Sequence, residues 1–292
     1  MSTRGVRVGL LFAILISAAC QEKGGESPTG PGPIPQPSSA ITYVAIGASD
    51  AIGLGSSAPC IPLVDCPQGR GYVQVAAREL KARGFTVNLT NLGFPAMVLS
   101  RRIQDLGTQY GRTIPGNFLD QQAPFVLPTA TLVTIFAGAN DVDSIVAALG
   151  GGAGGTDQVG YINSQIQAFG QDFATLVRTV RERAAGARLV VVNLPNMAGM
   201  PRHANASIQQ RRAEQMLSVG MTTQVINAQS ASGVLVVDMM CDPRSYEAST
   251  YSSDGFHPSD AGYAWIAAEV VAAATTAYKP PASGCSQTTI VN

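Results

Sequence analysis

Five short apolar runs punctuate the chain, most of them closed by Gly or Pro: ITYVAIG (41–47), FTVNLTNLG (85–93), ATLVTIFAG (130–138), ARLVVVNLP (187–195) and GVLVVDMM (233–240). Runs dense in Val, Ile and Leu with little polar alternation are the mark of strands buried on both faces. Between them, apolar residues recur at helical spacing over about 70–83, 97–108, 159–185, 205–231 and 259–278. Strand and helix alternate, and that order predicts an α/β protein, a three-layer α/β/α sandwich around a five-stranded parallel sheet with right-handed crossovers. In such sheets ligands bind outside the carboxyl ends of the strands, so any chemistry is expected there.

Ahead of the first strand the pattern changes. Arg4 and Arg7 precede the apolar run VGLLFAILISAA (8–19), which is short for a membrane span and is built like an export signal. The small residues before Cys20 resemble the lipobox of bacterial lipoproteins, in which that cysteine receives lipid. A leucine usually stands three places ahead of the cysteine and here Ser17 does, so cleavage after Ala19 without lipid is the alternative. Residues 21–39, QEKGGESPTGPGPIPQPSS, are too rich in Pro, Gly and Ser to build a core and predict a flexible tether. The expected division is a signal peptide over 1–19, a tether over 20–39, one domain over 40–279 and a tail over 280–292. The expected location is exported: anchored to a bacterial membrane through Cys20, or secreted.

Composition narrows the partners. Hydrophobic residues make up 46% of the chain and charged residues only 13%, which suits an exported protein with ample core. Nineteen basic residues balance nineteen acidic ones, and no basic block is interleaved with aromatics, so a nucleic acid has nothing to grip. A monomer is expected. Beyond Cys20 the cysteines are Cys60, Cys66, Cys241 and Cys285, an even number that favours disulfides in an exported chain; no CxxC pair or histidine cluster offers a metal site. Of the three connectivities, Cys60 to Cys66 with Cys241 to Cys285 is preferred, because the first pair is local and the second pins a tail that otherwise reads as loose. Free buried thiols are the alternative.

The strand ends carry the candidate chemistry. The first run leads into GASDAIG, placing Ser49 at a strand-to-loop turn ahead of a helical turn, where its backbone N–H can face an anion. This is not the G-x-S-x-G elbow, since position 51 is Ala. The second run ends in NLGFPA, where Gly93 permits a close backbone approach, and the third ends in AGAND, where the Asn140 amide can donate to a developing oxyanion. Each of the three is also an ordinary turn residue. In SDGFHPSDAGY, Asp254 and His257 lie three residues apart ahead of the last helix, with Ser259 as its N-cap and Asp260 in its first turn. A neutral imidazole held by a carboxylate is a base and, once protonated, an acid. The chain has two histidines, and the other, His203, has no carboxylate beside it in sequence.

In this order AIGASDAIG, NLGFPA, AGAND and DGFHP resemble the four blocks of the SGNH hydrolase superfamily, the GDSL-type esterases and lipases, over residues 41 to about 278. The resemblance implies a flavodoxin-like sheet order and cleavage of carboxylic esters through an acyl-enzyme, with neither metal nor organic cofactor. It assigns Ser49 as nucleophile, Asp254 and His257 as the rest of the triad, and Ser49, Gly93 and Asn140 as oxyanion donors. The first block usually reads Gly-Asp-Ser, and Ala48 replaces the Asp. The expected substrate is a small-molecule or lipid ester. Apolar residues of the loop RTIPGNFLDQQAPFVLP (112–128), namely Phe118, Leu119, Phe125, Val126 and Leu127, line an acyl pocket or cap the core. A carbohydrate O-deacetylase of the same superfamily is the nearest alternative, and a non-catalytic surface binding module the more distant one.

Overall fold

The computed structural model describes residues 30–292 apart from residue 277. The expected signal peptide and the first half of the tether, Cys20 included, lie outside the described residues. Five strands, β1 (Ala40–Gly47), β2 (Thr86–Asn91), β3 (Leu132–Phe136), β4 (Arg188–Val192) and β5 (Leu235–Val237), form one all-parallel sheet in the order β2-β1-β3-β4-β5. Eight helices fill the connections: α1 (Ser49–Ile52), α2 (Tyr72–Ala82), α3 (Arg101–Gln109), α4 (Phe118–Gln121), α5 (Ala139–Gly150), α6 (Gln158–Arg183), α7 (Ile208–Gly220) and α8 (Asp260–Thr275). Helices α2 and α8 pack together over one side of the sheet, and α3, α5, α6 and α7 pack among themselves on the other. The doubly wound three-layer sandwich is the architecture expected, and its order reverses beside β1, so the crevice at the carboxyl ends opens there.

Strands β3 and β4 are buried along their whole length and β1 from Tyr43 onward, which is why these segments read as unbroken apolar runs. Helix α5 was not expected: Gly138, Asn140 and Asp141 at its start read as turn residues and mask the apolar set Val142, Ile145, Leu149 that it buries. The stretch expected as one helix over 205–231 is three pieces, since α7 gives way to a π-helical turn, Met221–Ile226, and then a 3₁₀ turn. In the widened turn the Thr222 hydroxyl donates to the Leu194 carbonyl (3.0 Å) and accepts from its N–H (3.2 Å), fixing the chain that leaves β4.

At the opposite end of the sheet Arg188 is buried and donates to the carbonyls of Ala273 (2.8 Å) and Thr276 (2.9 Å), where a cation offsets the negative end of α8. It also donates to Gly32 (2.9 Å), which ties the described end of the tether to the sheet. Among the described residues no helix is long and apolar enough to cross a membrane.

Candidate active site

Ser49 is the first residue of α1, directly past β1, and is 4% exposed. The position gives its N–H no partner within the helix. Ala48, which replaces the usual aspartate, supplies no side-chain cap. The turn is held from elsewhere: the Gln122 amide accepts from the Gly47 N–H (2.9 Å) and donates to the Gly47 carbonyl (2.9 Å). Gln122 thus holds the last residue of β1 past the end of β2, together with the Phe94 N–H, which also donates to the Gly47 carbonyl (3.3 Å).

The loop after β5 brings the rare histidine to this serine. His257 Nε2 lies 3.0 Å from Ser49 Oγ, and His257 Nδ1 lies 2.6 Å from Asp254 Oδ2. The other Asp254 oxygen accepts from the N–H groups of Phe256 (2.8 Å) and His257 (2.9 Å) and from the Ser252 hydroxyl (2.9 Å). Partial burial pushes the Asp254 carboxyl up, but the hydrogen bonds from the His257 ring, from the two N–H groups and from Ser252 outweigh it and hold it at about 2. Ionised Asp254 keeps the proton on Nδ1, which leaves Nε2 to accept from the serine.

Contacts on every side fix this loop. Ser259 caps α8 as expected, accepting from Gly262 N–H (3.2 Å), and Asp260 receives both the N–H (2.8 Å) and the hydroxyl (2.7 Å) of Ser57, from the segment that follows α1. Gly55, at φ +92°, leaves no room for a side chain: a Cβ there would sit 2.6 Å from His257 Cβ. The Arg202 guanidinium lies 4.6 Å over the Phe256 ring, and Phe256 meets His257 edge-on at 4.9 Å. Buried Asp143 accepts from both Arg202 and Arg112 at 3.2 Å, which links the histidine loop to α5. Asp50, beside Ser49, lies half-buried in a small apolar hollow with Phe136, Tyr251 and Phe256; desolvation pushes its carboxyl up, and His257 pulls it back.

The ends of β2 and β3 meet beside Ser49, with one correction. The Gly93 N–H donates to Asn91 Oδ1 (3.0 Å), so it is not the free donor expected at this position. A Cβ on Gly93 would lie 2.6 Å from Ala51 Cβ, and Asn91 Nδ2 donates to the Ala51 carbonyl (2.7 Å). Gly93 therefore lets the turn after β2 dock on α1. Three residues on, Ala96 adopts φ +59°, and its N–H has no hydrogen-bond partner among the described residues. Asn140, at the start of α5, donates through Nδ2 to the Met97 carbonyl (3.0 Å), which leaves a second amide hydrogen. Asp141 accepts from the Leu99 N–H (3.1 Å). Adjacent residues of α5 thus clamp the chain just past Ala96. Sequence reading missed Ala96 because only a backbone conformation distinguishes it.

Of the remaining expectations, both disulfides form as paired, Cys60–Cys66 and Cys241–Cys285. The loop 112–128 divides between its two readings: Phe118 and Val126 are core, Leu119 is partly buried, and Phe125 and Leu127 are exposed beside clefts. His203 does have a carboxylate, since Glu214 Oε1 from α7 lies 2.9 Å from its Nδ1 with both side chains buried. Its Nε2 is enclosed without a partner, so no nucleophile stands before it. The tail is not loose: the Gln215 amide pairs with the Val291 carbonyl (2.7 Å) and N–H (2.9 Å).

The model of the GDSL-like lipase/acylhydrolase family matches residues 45–265. Among solved structures, a lipase from a goat rumen metagenome superposes with a TM-score of 0.56 at 17% identity, over 81% of this chain and 98% of that one. An extracellular lipase from Streptomyces rimosus gives 0.53 at 17% identity, over 81% of this chain and all (100%) of that one. No curated protein sequence matches the chain. Such identities speak for the fold alone, whereas the family match takes in the turn of Ser49, both clamped strand ends and the histidine loop. The chain belongs to the GDSL-like lipase/acylhydrolase family of SGNH hydrolases.

Proposed function

We propose that the protein is a serine hydrolase of carboxylic esters, with Ser49 as nucleophile, His257 as general base and acid, and Asp254 as the group that orients the imidazole. One observation carries the reading: the continuous relay of 2.6 Å and 3.0 Å from Asp254 through His257 to Ser49 Oγ at the carboxyl edge of the sheet. His257 Nε2 takes the hydroxyl proton as Oγ bonds to the acyl carbonyl carbon. Three donors face the oxyanion in this reading: the N–H groups of Ser49 and Ala96 and the second amide hydrogen of Asn140. Collapse of the adduct breaks the bond to the alkoxy oxygen, which leaves with the proton from Nε2, and water repeats the sequence on the acyl-enzyme. No step calls on a group beyond the chain and water.

Ser49→Ala is expected to lower turnover of p-nitrophenyl acetate by at least about 10³-fold while leaving thermal melting within a few degrees of wild type. A fluorophosphonate probe is expected to label the wild type and not the variant. Retained turnover in a folded Ser49→Ala protein sinks the assignment.

A further inference from the structure

A cleft of about 500 Å³ lies along the β2 edge, lined on one side by Leu92, Phe94 and Met97, the last of which follows Ala96 in the chain. Met97 is its buried residue and holds Asn140 through its carbonyl; Pro115, Phe125 and Leu63 complete the apolar lining, and Thr90 and Gln121 are its polar members. Phe125 is 62% and Leu63 74% exposed. Large apolar side chains gathered around one open cleft mark a surface meant to be covered.

The wall at Leu63 is unusual in its origin. It stands on the ring closed by Cys60–Cys66, which hangs from α1 through the Cys60 N–H on the Ile52 carbonyl (2.8 Å). Within that ring Leu63 holds φ +63°, the left-handed region that a branched residue avoids unless its surroundings impose it. Ile61 and Val64 on the same ring are also exposed, at 70% and 56%. Nothing in the core gains from three solvated apolar residues on a seven-residue loop.

The reaction geometry says what fits. The leaving alcohol must sit at His257 Nε2 to receive its proton, and the carbonyl oxygen must sit at the donors beside Ala96. The acyl carbon chain is then directed away from the histidine loop, toward Met97 and the cleft it lines. We propose that this cleft takes the acyl chain of the substrate and that the Cys60–Cys66 ring, through Leu63, sets preference for medium and long chains over acetyl. The inference rests on the hydrolase reading above and adds the class of acyl group to it.

The experiment measures kcat/KM for p-nitrophenyl acetate and octanoate and compares their ratio among variants. Wild type is expected to favour octanoate by at least about tenfold. Leu63→Asn keeps a residue that tolerates the left-handed backbone while removing the apolar wall. The ratio is expected to fall by roughly fourfold to fifteenfold, the effect of uncovering one or two methylenes. The Cys60→Ser/Cys66→Ser pair, which opens the ring without touching Leu63, is expected to lower the ratio in the same direction. An octanoate preference absent from the wild type, or a ratio unchanged in both variants, overturns the inference and leaves the hydrolase standing. A folded wild type that turns over neither ester overturns the hydrolase reading itself.

Discussion

Asp141 shows how a single residue can trade stability against the shape of a site. It follows Asn140 in α5, is 1% exposed, and its Oδ1 fixes the Leu99 N–H while Oδ2 is enclosed without a partner. Burial pushes its carboxyl up to about 7, against the pull of the Leu99 N–H and of Arg102. A raised carboxyl binds a proton in the folded state that the unfolded chain, with an ordinary value of about 4, has already lost, so folding stability falls as pH climbs between the two. The contribution is full below about 4 and gone above about 7. Asp141→Asn keeps the acceptor for Leu99 and removes the charge. The melting temperature of the variant minus that of wild type is therefore expected to rise from pH 5 to pH 8. A difference that stays constant over this range contradicts the upward shift.

At the scale of elements, what the sequence displayed and what it concealed divide by the range of the interaction. The five strands were legible because burial on both faces writes an uninterrupted apolar run, and the Ser259 cap of α8 because capping is local. Asp254 and His257 were legible for the same reason, being three residues apart in one turn. Gln122 was not: it acts on Gly47 across 75 positions from within a segment that read as a loop, and a buried glutamine has no pattern of its own. Glu214 beside His203, Gly55 beneath His257 and the φ of Ala96 were hidden likewise, as consequences of packing. The end of β1 tests this. Gln122→Ala strands the buried N–H of Gly47, whose carbonyl still accepts from the Phe94 N–H (3.3 Å), and an unsatisfied buried donor costs roughly 1–3 kcal/mol. Denaturant melts are expected to show a loss of about 1–3 kcal/mol. Since the strand end sets the position of Ser49 rather than binding substrate, kcat is expected to fall more than KM rises. A loss confined to KM assigns Gln122 to binding instead.

For the whole molecule, the two disulfides fasten different things, and the chain they close predicts how far each matters. Cys60–Cys66 spans 6 positions and Cys241–Cys285 spans 44. Constraint of the unfolded chain grows with the logarithm of loop length, giving about 2.5 kcal/mol for the short ring and about 4 kcal/mol for the long one. The long one also keeps residues 285–292 near α7, where the pairing of Gln215 with Val291 and of Arg212 with the Asn292 carbonyl (2.9 Å) holds them. The Asn196 amide donates to the Gln287 carbonyl (2.9 Å), so the tail also braces the chain leaving β4. None of these contacts touches the cleft at β2, on the far edge of the sheet. Replacing Cys241 and Cys285 by Ser is therefore expected to lower the melting temperature by about 10 °C, more than opening the short ring does, while leaving the octanoate to acetate ratio as in wild type. The short ring is expected to do the reverse, shifting the ratio with the smaller change in melting. If the long disulfide proves thermally silent, the Gln215 and Arg212 contacts alone hold the tail, and the chain-entropy argument fails for this fold.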